Sequence, residues 1–397
     1  ITNAQVSIGM WQTPSDAPQG IPLYNPSDVY NTGNLVWFQG KVFSIRNGGY
    51  SSTPPDQNVV YGPYNEVTRE WRISNTYQDN DVVYYNNAFY RVASSGQFNG
   101  SALDSNTGWD ELNSINWKSY KAYTTGNVVI YQGELYRATA AWTTGQPNQS
   151  GNWEKINSIA WDPNRIYNES GIVVSYLGNY YRSNWYNQNA VPTAGGPWTQ
   201  IAIPTWGNTD FALNDLALYQ GALYRAIGGN NGTRKNRAPG TATAYGIWQR
   251  IDSQLWQPYN TYALGDYVIY QGEPYQVVNP TNANNNVIPG SIYNAWNKVN
   301  TSNWQWFNVY QNGNYVFYQG IPYVVMNAAN ANNNVIPGSI PNAFNRIDSL
   351  SYFPNNRYVL NDIVIYENVA YRALQTSFGI IPGVSGSESY WALYSNS

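Results

Sequence analysis

The 397-residue chain contains no cysteine and no histidine. The first absence excludes disulfide staples; the two together exclude the common zinc sites and the Ser/His and Cys/His nucleophile arrangements. Charge is scarce: 11% of residues are charged, and 20 basic against 23 acidic side chains leave a formal charge of −3. That balance fits neither a nucleic-acid footprint nor a polybasic membrane patch. No apolar run approaches the roughly 18 residues of a membrane-spanning helix. Phosphate-loop and calcium-loop patterns have no match. A paired-carboxylate glycosidase would need two acids facing each other across a cleft, which small tandem modules do not offer. The expectation is a protein without catalysis, metal or cofactor, and without a nucleic-acid partner.

What the chain has instead is a repeat at an interval of about 47 residues, written eight times. The clearest copies are "YTTGNVVIYQGELYRA", with Tyr123, Gly126, Asn127, Val129, Tyr131, Gly133 and Tyr136, and "YALGDYVIYQGEPYQV", with Tyr262, Gly265, Asp266, Val268, Tyr270, Gly272 and Tyr275. Weaker copies start at Tyr30, Tyr77, Asn168, Phe211, Tyr310 and Tyr358, the Asn168 copy being shifted one residue from Tyr167. Alternating apolar and polar residues on either side of Gln-Gly predict two short strands joined by a tight turn. The earlier Gly-Asp or Gly-Asn pair sits where the chain turns into the first strand, so Asp81, Asp215, Asp266 and Asp362 read as turn residues rather than catalytic acids.

After each hairpin comes a variable Asn-, Gly-, Ser- and Pro-rich loop that closes on an aromatic: Trp109, Trp153, Trp198, Trp248, Trp296, Phe344 and Trp391. The pairs Trp109/Trp117, Trp153/Trp161, Trp198/Trp206, Trp248/Trp256, Trp296/Trp304 and Phe344/Tyr352 are all eight residues apart. Tethering linkers drift in length and composition, and these do not, so neighbouring modules are expected in a fixed relation. Modules this small cannot rely on an ordinary core. With 17 Trp, 37 Tyr and 10 Phe, the rings must supply most of it. The predicted fold is all-β: a tandem array of about eight small three-stranded antiparallel modules forming an elongated rod. The boundaries are a leading segment 1–29 and modules 1 to 8 at 30–73 (degenerate), 74–113, 114–157, 158–202, 203–252, 253–300, 301–348 and 349–397.

The leading segment alternates Val6, Ile8 and Met10 on one side, a half-buried strand pattern. It reads as a cap on module 1 or as a strand that docks on another subunit and drives self-association. The one basic cluster, Arg234, Lys235 and Arg237, reads as a solvated loop rather than a phosphate site. A low-charge surface rich in Asn, Ser, Thr, Tyr and Gly suits an extracellular or virion location, and a start at Ile1 suggests a processed product or a fragment.

Module 4, "IAWDPNRIYNESGIVVSYLGNYYRSNWYNQNAVPTAGGPWTQIA", resembles the small type V/XII chitin- and cellulose-binding modules. Trp161, Gly171, Val174, Tyr176, Gly178, Tyr181, Trp185, Pro197 and Trp198 fall on that family's pattern. Module 3 is nearly as good, and looser likeness extends over about 71 to 397. The resemblance implies a compact three-stranded fold and a ligand face of exposed aromatics just after the second hairpin strand. In this chain those are Trp185 and Tyr186 and, by looser analogy, Trp142. Aromatic faces stack on the C–H faces of β-linked sugars. Modules 6 and 7 carry no aromatic there and share "NANNNVIPGSI", while modules 2 and 8 offer only the displaced Phe98 and Phe378. Two functions follow. One is a non-catalytic fibre or filament protein with glycan binding at modules 3 and 4; the other is a multivalent adhesin or accessory protein for chitin or another β-glycan.

Overall fold

Residues 17–49, 54–55, 63–93, 103, 108–193 and 195–396 are described in a computed structural model. Each module builds one three-stranded antiparallel sheet from a hairpin and a later third strand. In module 3 the hairpin is Val128–Tyr131 with Glu134–Ala138, and Trp153–Lys155 pairs with the second strand, placing Trp153 opposite Ala138. Gln132 and Gly133 at its turn have φ of 53° and 80°. Two consecutive positive φ values match the twist of a two-residue hairpin, which is why Gly follows Gln there. The edge of the first strand is not left open. In every module a residue of the incoming segment bridges it in parallel, as Asn116 does to Ile130 and Ser351 to Ile365.

The core of each module is aromatic. The closing rings Trp109, Trp153, Trp198, Trp248, Trp296, Phe344 and Trp391 are all buried. Each meets the ring that heads its copy edge-on, as Tyr123 meets Trp153 at 5.3 Å. The heading ring of module 4 is Tyr167, fully buried against Trp198, so that copy begins at Tyr167 with one residue inserted before Gly171, and not at Asn168. The heading tyrosines also latch the turn that leads into the module. The hydroxyls of Tyr77, Tyr123, Tyr167 and Tyr262 accept the backbone N–H of Arg72, Lys118, Asp162 and Gln257, five residues earlier, at 2.7–2.8 Å. The four turn aspartates accept N–H groups of Gln78, Ala212, Ala263 and Val359 at 2.7–2.8 Å. Asn127 and Asn314 do the same in their modules, so a neutral oxygen serves equally well.

The junctions are rigid for a reason that spacing alone does not reveal. Asn297 and Asn308 each use the side-chain amide as a strand partner. Asn308 accepts the N–H of Lys298 at 2.9 Å and donates to its carbonyl at 3.0 Å, while Asn297 does the same to Val309. Asn65 with Asn75 and Asn345 with Asn356 repeat the reciprocal clamp at two other junctions, and between modules 5 and 6 Asn260 clamps Arg250 in both directions while Gln249 only donates, to the Thr261 carbonyl at 3.0 Å. Between modules 3 and 4 Arg165 pairs with Glu154 at 3.0 Å, itself held by Arg137 of its own module at 3.3 Å, and Asn164 donates to the Asn148 carbonyl at 3.0 Å.

The described residues form two compact units, one holding modules 1, 2, 7 and 8 and the other modules 3 to 6. Modules distant in sequence meet inside each. In the first, Ile21, Leu35 and Val42 share a core with Ala370 and Tyr394, and the Phe89 and Phe317 rings stack at 4.4 Å. Backbone at Gln19 pairs with Asn368 and Ala370 of module 8. In the second, Gln254 bonds to the backbone of Leu135, and Asn300 accepts the N–H of Ile115 at 3.0 Å. The tandem all-β array is as the repeat predicts. Within each unit, contact is not confined to modules adjacent in sequence.

Candidate functional site

Trp142, Trp185 and Tyr186 are 78%, 56% and 61% exposed, in a chain whose other tryptophans are mostly core. None of the three stacks on another ring among the described residues. Their backbone, by contrast, is pinned. Thr143, next to Trp142, exchanges two backbone hydrogen bonds of 2.9 Å with the heading Tyr123, and its hydroxyl donates to the Ala140 carbonyl at 2.9 Å. Trp142 itself has φ 58°, the left-handed region that a bulky residue rarely adopts. The ring is therefore presented to solvent by a strained residue held from both sides. In module 4, Asn187 pairs with Tyr167 and donates its side-chain amide to the Trp185 carbonyl at 3.1 Å. Asn184, on the other side of the pair, is tied to Pro197, Gly196 and Thr199 at 2.8–2.9 Å.

The strand bridges set a register that loop lengths conceal. Thr143, Asn187 and Ser377 each face the heading tyrosine of their module, so Trp142 is the counterpart of Tyr186, and Trp185 corresponds to Ala141. Phe378, half exposed, lies opposite Arg357 and corresponds to Gln188, on the far side of the bridge. Counting back from the residue that faces the heading tyrosine would have aligned the three.

Modules 5, 6 and 7 are built differently at this place. Short helices at Asn231–Asn236, Pro280–Ala283 and Ala328–Ala331 occupy the loop. Asn284 and Asn332 replace the bridging backbone, each side-chain amide bonding both N–H and carbonyl of Tyr262 or Tyr310 at 2.8–3.0 Å. The repeated "NANNNVIPGSI" thus serves as scaffold. Arg234 corrects the solvated-loop reading of the basic cluster: it is 9% exposed, and its guanidinium donates to the carbonyls of Gly228, Phe211 and Gly229 at 2.7–3.1 Å. Its own carbonyl accepts the indole N–H of both Trp206 and Trp248. Sequence could not separate this buried arginine from the exposed Arg237 three residues on.

Val6, Ile8, Met10 and Phe98 lie outside the described residues. No group of acidic side chains able to hold a metal, and no helix long and apolar enough to cross a membrane, occurs among the described residues. No family model matches the chain, and no curated protein matches it in sequence.

Proposed function

We propose that the chain is a non-catalytic protein of an extracellular or virion surface that binds β-linked polysaccharide through Trp142 in module 3 and the Trp185–Tyr186 pair in module 4. The observation that carries this reading is the combination of exposed rings with immobilised backbone at one register position in consecutive modules. A ring whose backbone is already ordered loses little entropy when a sugar stacks on it, and it offers apolar contact without charge. Modules lacking the platform act as scaffold, and the reciprocal amide clamps at their junctions favour a second, compatible role as a building block of a self-associating fibre.

The test is a pull-down with insoluble chitin and insoluble cellulose beside electron microscopy of the same preparation. Retention that falls at least tenfold in Trp185→Ala, with the fold intact by circular dichroism, is the expected result. Ordered filaments without retention on either polymer would leave only the building-block role.

A further inference from the structure

Inside the second unit a cavity of about 300 Å³ is walled by Arg137, Lys155, Arg165 and Arg225, with Glu154 as its single acidic side chain. Four basic groups against one give a formal charge of +3 in a chain whose total is −3. An adjoining cavity of about 240 Å³ shares Arg225 and adds Arg250 and Asp266. A cavity of the first unit, about 760 Å³, is walled by Arg69, Arg346 and Arg357 against Glu66, Asp81, Asp348 and Asp362, a formal −1. The two units thus line internal cavities of opposite formal charge.

Internal pairing consumes only part of the excess. Glu154 is shared by two guanidiniums, those of Arg137 at 3.3 Å and Arg165 at 3.0 Å. Lys155 pairs at 3.0 Å with Glu134, outside the cavity wall. Arg225 has no acidic partner among the described residues. The Nε of Arg165 is buried and makes no hydrogen bond, although the side chain is held over the Tyr167 ring at 5.2 Å. A buried donor left open beside uncompensated cations calls for an acceptor carrying negative charge. Arginine forks suit planar or tetrahedral oxyanions.

We propose that this cavity is a binding site for a small oxyanion: free phosphate or sulfate, or the carboxylate of an acidic sugar. It is separate from the aromatic platforms, so it stands or falls independently of glycan stacking.

Equilibrium dialysis of the full chain against radiolabelled sulfate and phosphate, with chloride holding ionic strength constant, tests the free ions; isothermal titration with glucuronic acid tests the sugar carboxylate. Saturable binding near one ion per chain is expected. It should weaken at least tenfold in Arg225→Gln and in Lys155→Gln and stay unchanged in Arg357→Gln of the first unit and in Trp185→Ala. Binding of glucuronic acid alone would identify the sugar as the source, and binding of the inorganic ions alone the free ion. Absence of saturable binding by all three probes, or binding unaltered in both cavity variants, overturns the proposal.

Discussion

The side-chain amide of Gln254 accepts the N–H of Leu135 at 2.9 Å and donates to the Leu135 carbonyl at 2.9 Å, across 119 positions of sequence. Asn396 does the same to Leu35 at 3.0 and 2.8 Å, across 361 positions in the other unit. Both amides complete a hairpin's hydrogen bonding with a partner from a distant module. Modules 6 and 7 solve the same problem by deletion, placing Pro274 and Pro322, which have no N–H, at the position of Leu135.

Gln254→Ala leaves a fully buried N–H without its acceptor. Such a loss costs about 1–3 kcal/mol, so calorimetry is expected to find the unit holding modules 3 to 6 melting several degrees lower. Arg91→Ala, on an exposed strand position of the other unit, should move little. Equal Tm for Gln254→Ala and the parent would mean that the cross-module bond is not maintained in solution.

Junction rigidity rests on amides such as Asn356, which is buried and accepts from Arg346 N–H at 2.9 Å while donating to its carbonyl at 3.0 Å. Asn356→Asp keeps the acceptor but sets a carboxylate oxygen against that carbonyl. It is therefore expected to destabilise by about 1–3 kcal/mol at pH 7 and by less at pH 3, where the carboxyl can donate again. Denaturant titrations at the two pH values check this; a loss independent of pH would contradict it.

Much of this fold was legible in the chain because the repeat writes its own periodicity: hairpin turns, aspartate-capped turns and the aromatic core all sit at fixed offsets. What escaped were relations that no offset encodes. Gln254 and Asn396 are isolated polar residues whose partners lie in other modules. Arg234 is buried only because the module 5 loop coils over it. The platform positions were visible as aromatics, but Trp142 aligns with Tyr186 only once the bridges to Tyr123 and Tyr167 are known.

Burial pushes the phenols of Tyr77, Tyr167 and Tyr262 up to about 12. An acid whose folded value exceeds its unfolded value of about 10 adds stability that is complete below pH 10 and is lost as pH rises toward 12. Stability is therefore expected to be flat on this account between pH 7 and 9 and to fall steeply above pH 10, together with a late rise in phenolate absorbance at 295 nm. Complete phenolate formation near pH 10 with stability unchanged would refute it. Tyr262→Phe, which leaves the Gln257 N–H unaccepted, should cost about 1 kcal/mol below pH 9.

Asp266 is a turn cap whose carboxyl is raised above the ordinary carboxylate range, chiefly by desolvation. Its charged form is thus penalised in the folded state, with the penalty absent below the unfolded value and fully present above the folded one. Asp266→Asn keeps the oxygen that accepts from Ala263, as Asn127 does for Thr124. Stabilisation on the order of 0.5 kcal/mol, discounted for partial exposure, is expected at pH 7 and should vanish near pH 3. Melting curves across that range would expose the opposite sign if the Arg137 attraction outweighed desolvation.

Trp142 gives the sharpest separation of stability from function. Its φ of 58° is a conformation that asparagine tolerates far better than tryptophan, and its ring, 78% exposed, contributes little to any core. Trp142→Asn is therefore expected to raise stability by roughly 0.5–1 kcal/mol while weakening retention on polysaccharide. A ring kept in a strained, solvent-facing pose is hard to explain by folding alone, whereas a ligand that stacks on it gives the strain a use. Reduced stability in Trp142→Asn would assign the ring a packing role and remove module 3 from the binding surface.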